Sequence, residues 1–378
     1  MRVLMLSKAC IVGMYQRKLE EIARLGIDLT VVVPPSWRDE RGETPLERAY
    51  TEGYRLVVNP IRFNSHYHLH YYPGLKRWFD PAPDIVHIDE EPYNLATWQA
   101  LHLARQAGAK ALFFSWQNIR RTYPLPFRLG EWWVLHHVDH AIVGTESAAA
   151  VWRAKGYEGP LSVIPQFGVD TDLFRPPTRP IAGRMRTLGY VGRLVPEKGI
   201  DLLLEAAAAL KDDGLLNWRL DIVGGGPERP ILERQCERLG LCDHVTFLGQ
   251  LPSVQMPAFY RQLDILLVPS LTRPNWKEQF GRVLIEAMAC GTVPVGSDSG
   301  AIPDVIGDAG LIVPEGDVTA LANAVRRLLM DDDLRQELAQ KGRARVLENY
   351  TQAQIAARTV AVYREMLGEP AHAPTSSA

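Results

Sequence analysis

Short apolar runs alternate with amphipathic stretches along the whole chain, and this alternation limits the possible folds more than any single motif does. Val3 to Leu6, LTVVVPPSW, Tyr54 to Val58, PDIVHID, ALFFSW and HAIVGT are such runs in the first half. Between them lie segments at helical spacing, one running to Arg24, one from Tyr93 to Ala107 and one from Leu129 to Val138. Runs apolar on both faces and separated by helices read as parallel strands with helices on both sides. After residue 180 the pattern starts again with TLGYVG, WRLDIVG, VTFLGQL, DILLVPS, VPVGSD and GLIVP. A chain of 378 residues is comfortable for two α/β domains, each with its own core. The expected division is a doubly wound domain over 1–170, a proline-bearing linker over 171–185 and a second such domain over 186–350. A terminal helix over 351–367 and a small, polar, disordered tail over 368–378 complete it.

Composition mainly excludes. A formal net charge of −2 provides no bulk attraction to nucleic acid. Cys10, Cys236, Cys242 and Cys290 form no CxxC pair, which fits reduced thiols with no metal. No apolar stretch of about 18 residues occurs that could span a bilayer, and the N-terminus lacks the apolar core of a signal peptide. A cytoplasmic protein is expected.

Chemistry concentrates in EQFGRVLIEAMACG, Glu278 to Gly291. Gly281 reads as the hinge from loop into helix, with Val283, Leu284, Ala287 and Met288 on a buried face. Glu278 then precedes the helix and Glu286 lies inside it. The first N–H groups of a helix have no internal partners and carry the positive end of its dipole, so phosphate fits there. Glu286 is placed to accept hydrogen bonds from a ribose, and Glu278 faces a second polyol. Glutamate pairs are common on solvated helices, but the small residues Ala287, Ala289, Cys290 and Gly291 imply close packing, where a carboxylate is costly unless it binds something. Arg193 and Lys198 flank another helix start, and a cation there opposes the dipole unless an anion lies between. Together with the helix start at Gly281 they would supply enough positive potential for a diphosphate without a metal. The turn Gly224 to Pro227 matches neither phosphate-loop fingerprint, leaving a tight turn or close backbone approach to a base or sugar. Gly13, after the first strand, reads equally as a turn glycine or as backbone approaching a ligand.

The first half is less specific. Asp89, Glu90 and Glu91 end the fourth strand, and because like charges repel, at least one is expected to face solvent. Glu91 and Asp89 are the first candidates for contacting an acceptor hydroxyl. His66, His68 and His70 alternate, as they would on one strand face, but nothing nearby completes a metal shell. From Arg120 to Trp133, arginines interleave with Tyr123, Phe127, Trp132 and Trp133, a composition suited to a peripheral membrane contact or an acceptor-groove wall. Pro124 and Pro126 interrupt any continuous amphipathic helix there.

In order, GYVGRLVPEKG, VGGGP, VTFLGQL, the Glu278 to Glu286 stretch and SGAIPDVI resemble glycosyltransferase family 4, the retaining nucleotide-sugar transferases of GT-B fold. The resemblance implies two Rossmann-like domains facing a cleft, a donor held mainly by the second, and a C-terminal helix crossing back to the first. It implies Arg193 and Lys198 on the donor phosphates, Glu286 on the ribose and Glu278 beside the transferred sugar. Backbone groups at Gly281, Arg282 and Val283 would cradle the diphosphate, with Gly13 closing on the donor. Leu251 and the turn holding Gly224 and Gly226 would lie against the base. Many relatives carry a His after the strand ALFFSW, where this chain has Gln117. Hydrogen bonding to the sugar survives that change, whereas proton transfer by an imidazole does not. The implied activity is transfer of a sugar from a UDP- or GDP-sugar to a hydroxyl of a glycan, a lipid-linked or a small-molecule acceptor, without cofactor or metal. A nucleotide-sugar epimerase and a non-catalytic nucleotide-sugar scaffold are the alternatives.

Overall fold

The computed structural model describes residues 1–39, 42–178 and 185–369, so parts of the expected linker and tail lie outside the described residues. The chain forms two compact units, residues 1–168 joined by the segment from Gln352 onward, and Val169–Thr351.

The first unit holds β1 (Arg2–Leu6), β2 (Asp28–Val33), β3 (Ser36–Asp39), β4 (Gly42–Pro45), β5 (Arg55–Val58), β6 (Ile85–Ile88), β7 (Lys110–Ser115), β8 (His140–Val143) and β9 (Leu161–Val163). Seven of these form one sheet in the order β5-β2-β1-β6-β7-β8-β9. Every neighbouring pair in it is parallel. Alternation along β1 explains the double covering. Val3 and Met5 enter one core with Leu19 and Ile22 of the helix Arg17–Arg24, whereas Leu4 and Leu6 enter another with Ala100 and Leu101 of the helix Leu95–Ala107. Side chains such as Phe113, wholly buried, each contribute roughly 1.5–3 kcal/mol. The terminal helix Gln352–Met366 packs on this unit through Ile355, Ala356 and Val360, and its Tyr363 hydroxyl lies 2.6 Å from His87 Nδ1 on β6. The sequence reading treats LTVVVPPSW as one strand. Instead Pro34 and Pro35 end β2, because proline donates nothing to a ladder, and Ser36–Asp39 turns away to pair antiparallel with β4.

The second unit holds β10 (Arg186–Val191), β11 (Trp218–Val223), β12 (Val245–Gly249), β13 (Ile265–Val268), β14 (Val293–Ser297) and β15 (Leu311–Val313). They form a parallel sheet in the order β12-β11-β10-β13-β14-β15. Its core joins Leu188, Tyr190, Leu203, Leu220, Ile265 and Val293. The GT-B α/β fold thus has two Rossmann-like parallel sheets. In each, strand order reverses at one place, between β1 and β6 in the first and between β10 and β13 in the second. Chains leaving adjacent strands at such a point diverge to opposite faces and open a crevice beyond the strand ends, where ligands bind in this architecture. Asp89 to Glu91 follow β6, Arg193 and Lys198 follow β10, and Glu278 lies on the segment after β13.

Candidate functional site

In the second unit, the turn Pro196–Lys198 and the segment after β13 are tied by the Leu271 N–H, which donates to the Glu197 carbonyl at 2.8 Å. This brings Lys198 onto Glu278, Nζ to Oε2 at 2.6 Å. The Ser270 hydroxyl donates to the same oxygen at 3.3 Å, and Trp276 sets its ring centroid 4.8 Å from the ammonium. A carboxylate on one side and an aromatic face on another hold the cation in a single direction. Arg193 is exposed in the loop after β10, whose carbonyl accepts from the Tyr190 hydroxyl at 2.9 Å.

Gly281 caps the helix Arg282–Ala289 at φ 73°, a left-handed conformation that glycine adopts without steric cost. The chain can therefore turn sharply from Glu278 into the helix, with Gly281, Arg282 and Val283 at its positive end. Glu286 lies one turn further and is buried. Arg282 Nε reaches its Oε1 at 2.8 Å and the Tyr260 hydroxyl donates to its Oε2 at 3.0 Å. Burial raises the Glu286 pKa, and the Arg282 charge and these bonds oppose that rise. The turn at Gly224 and Gly226 packs directly on the backbone after β10. A Cβ on Gly224 would lie 1.8 Å from the Gly192 carbonyl oxygen, and one on Gly226 2.2 Å from that of Leu194. Close packing by itself accounts for both glycines. Leu251 follows β12, half-buried.

In the first unit the three carboxylates do not divide as like-charge repulsion predicts. Each has found separate partners, Asp89 and Glu90 are buried, and Glu91 is half-buried. Asp89 accepts from the Ser7 hydroxyl at 2.5 Å and from Gln166 Nε2 at 2.9 Å. Its pKa is raised by burial and held back by Lys18 and these bonds. Glu90 pairs with Lys8, lies 3.5 Å from His70 Nε2 and accepts from Asn94 Nδ2 at 3.3 Å. Burial pushes its carboxyl up, but Lys8 and His70 outweigh that and hold it at about 2. Glu91 accepts from the Ser115 hydroxyl at 2.6 Å and the Trp116 N–H at 2.9 Å. Burial outweighs both bonds and lifts its carboxyl to about 7.

Gln117 is buried beside this group. Its Nε2 donates to the Ile119 carbonyl at 3.0 Å and its Oε1 accepts from Lys155 at 3.5 Å. Gly13 opens a short helical turn in which its N–H donates to Glu47 Oε2 at 2.7 Å, and a Cβ there would lie 2.9 Å from that of Ala49. The histidines do not share a strand face, because residues 63–70 form turns. His66 is exposed, His68 packs among aromatic rings and His70 is buried against Glu90. Among the described residues no group of three His, Cys, Asp or Glu is placed to hold a metal ion, and no helix is long and apolar enough to cross a membrane.

The structure adds residues the sequence reading passes over, namely Ser270, Trp276 and Tyr260 in the second unit, and Ser115 and Lys155 in the first. Trp276 stands two residues before Glu278, a spacing open to inspection. Tyr260 reaches Glu286 across 26 residues and leaves no local signal.

Two family matches cover most of the chain: "Glycosyl transferase 4-like domain" over residues 14–166 and "Glycosyl transferases group 1" over residues 176–345. The chain is 35% identical over 357 residues to the GDP-mannose-dependent alpha-(1-6)-phosphatidylinositol monomannoside mannosyltransferase of Mycolicibacterium smegmatis, covering 85% of this chain and 86% of that protein. It is 31% identical over 349 residues to the D-inositol 3-phosphate glycosyltransferase of Salinispora tropica, covering 85% and 68%. Among solved structures, sucrose-phosphate synthase from Thermosynechococcus elongatus superposes with a TM-score of 0.71 at 23% identity, covering 97% of this chain and 99% of that one.

Proposed function

The chain belongs to glycosyltransferase family 4, the group 1 glycosyl transferases of GT-B fold, and on that premise we propose that it transfers a hexose from a nucleoside-diphosphate sugar to an acceptor hydroxyl with retention at the anomeric carbon. The observation that carries this reading is the arrangement around the helix Arg282–Ala289. Lys198 is clamped beside Glu278 before its start, and Glu286 presents a buried carboxylate one turn inside it. Lys198, Arg193 and the helix start receive the diphosphate. Glu286 accepts from the ribose hydroxyls, Glu278 lies against the sugar, and Leu251 with the turn at Gly224 and Gly226 takes the base.

In the transfer, the bond between the anomeric carbon and the phosphate oxygen breaks while the acceptor oxygen bonds to the same face of that carbon. The acceptor proton passes to the departing diphosphate. Charge on that oxygen grows as the bond stretches, so cations fixed in advance stabilise the transition state more than the bound donor. This route asks nothing of an imidazole at position 117 and no metal. Glu91, half-buried, and Gln117 orient the acceptor hydroxyl, whereas Asp89, buried, braces the strand end.

GDP-mannose, the donor in the name of the 35% identical relative, is the first donor to test. The reading also keeps a peripheral contact at the cytoplasmic face of a membrane through residues 120–133, where Leu125, Leu129 and Trp132 are exposed beside Arg120, Arg121 and Arg128. The experiment is transfer from GDP-mannose or UDP-hexoses to a panel of acceptors in EDTA, with nucleotide release and product anomeric configuration read by NMR. An α-linked product from an α-linked donor is expected. An inverted product, donor isomerisation without acceptor, or binding with no nucleotide release from any acceptor would each replace this reading.

A further inference from the structure

Within the first unit, residues 65–69 with Tyr123, Pro124 and Phe127 line an open cavity of about 620 Å³, within the size range of small-molecule sites. Its walls include Tyr67, His68, Leu69, Tyr123, Pro124 and Phe127, and no Asp, Glu, Lys or Arg lines it. The His68 ring packs against Tyr93 at 5.1 Å, Tyr123 at 5.3 Å and Phe127 at 5.0 Å. Ser65 and His66 complete the lining, and burial, then neighbouring His70, lowers the His68 pKa.

This surface is not a core that has failed to close. Tyr67 is 49% and Leu69 42% exposed, with Phe63 and Leu125 exposed at the rim. Phe63 and Ser65 hold φ of 53° and 84°, a left-handed backbone that non-glycine residues adopt at a cost and that gathers at ligand clamps. The loop therefore presents apolar side chains outward at the expense of strain.

The cavity also adjoins the acceptor side of the proposed site. Tyr93, its ring centroid 4.4 Å from that of Tyr123 and tilted by 38°, follows Glu91 by two residues. Lys155 lies 5.0 Å from the Tyr123 ring centroid and 3.5 Å from Gln117 Oε1. Tyr123, one of the rings that wall the cavity, thus packs on the lysine that donates to Gln117.

We propose that this cavity binds the apolar aglycone of an amphiphilic acceptor, an alkyl or aryl chain whose attached sugar or polyol presents its hydroxyl toward Glu91. The assignment rests on the transferase reading for the word acceptor, but the binding itself is measured without turnover. The full chain is titrated calorimetrically with octyl and methyl β-D-glucopyranoside below the micellar concentration. The octyl compound binds at least tenfold more tightly, because each buried methylene adds favourable transfer free energy. Leu69→Asp and Tyr67→Ser, both at exposed positions, remove that difference while leaving nucleoside-diphosphate binding intact as the control for folding. Equal binding of the two glycosides, or an octyl preference that survives both substitutions, overturns the proposal. No nucleotide binding by the unmodified chain, with the octyl preference present, counts against the transferase reading and leaves the cavity assigned.

Discussion

The crevice ends of the two sheets follow one topological rule and are furnished in opposite ways. In the second unit the groups come from short, glycine-punctuated segments, with Gly281 turning the chain into the helix and Glu278 and Glu286 eight positions apart on one stretch. In the first unit they come from side chains collected across residues 63–70, 89–94, 115–127 and 155. A diphosphate and a ribose impose a fixed geometry best met by backbone and by charges at set spacing. An acceptor imposes shape and apolar area, which many sequences can supply.

If that contrast is right, changes in the second unit act on charge and cost more than changes in the first. The largest effect belongs to Lys198→Ala, for which kcat falls by about 10²–10³-fold with donor affinity changing far less. Equal losses in kcat and in donor binding would show that the lysine stabilises bound donor and transition state alike. Next is Glu286→Ala. Losing hydrogen bonds to a charged group weakens nucleoside-diphosphate binding by about 10–100-fold, and calorimetry reads this directly. Trp276→Leu releases one side of the lysine clamp and lowers kcat by roughly 3–30-fold, with Trp276→Phe between the two because its ring keeps part of the cation–π attraction. Identical rates for Phe and Leu at that position would reduce Trp276 to a packing residue.

The smallest effect lies in the first unit and is recognised by its pH dependence. Glu91 is raised by burial from 4.5 to about 7. Between those values the folded chain holds a proton that the unfolded chain has released, so this group makes stability fall as pH rises through that window. Glu91→Gln removes that slope from a series of Tm measurements. It also raises the acceptor KM a few-fold and flattens the rise in rate through about pH 7 that comes from ionising a group orienting the acceptor. A Tm profile unchanged by the substitution contradicts the assignment of that titration to Glu91.

The same contrast decides how much of the fold and site is legible in the sequence. The doubly wound sheets were legible because parallel strands buried on both faces, such as ALFFSW and DILLVPS, carry their signal within six or seven residues. The hairpin of β3 and β4 was not, since only Pro34 and Pro35 mark where β2 stops and the paired strands are four residues each. Repulsion among Asp89, Glu90 and Glu91 does not by itself decide where these carboxylates point. Ser7, Lys8 and Gln166, distant in sequence, arrive to satisfy the first two. The even spacing of His66, His68 and His70 suggested a shared face, and the turns over 63–70 send the three rings to different surroundings.

The central claim is that the helix start at Gly281, with Lys198 and Glu286, is a nucleoside-diphosphate site. Isothermal titration of GDP and UDP into the full chain, in EDTA, compared with Glu286→Ala and Lys198→Ala, tests it most directly. One nucleotide should bind with a clear preference, weaken by about 10–100-fold on loss of Glu286 and weaken far less on loss of Lys198. Binding of either nucleotide that ignores the Glu286 substitution would place the donor elsewhere and contradict the site described above.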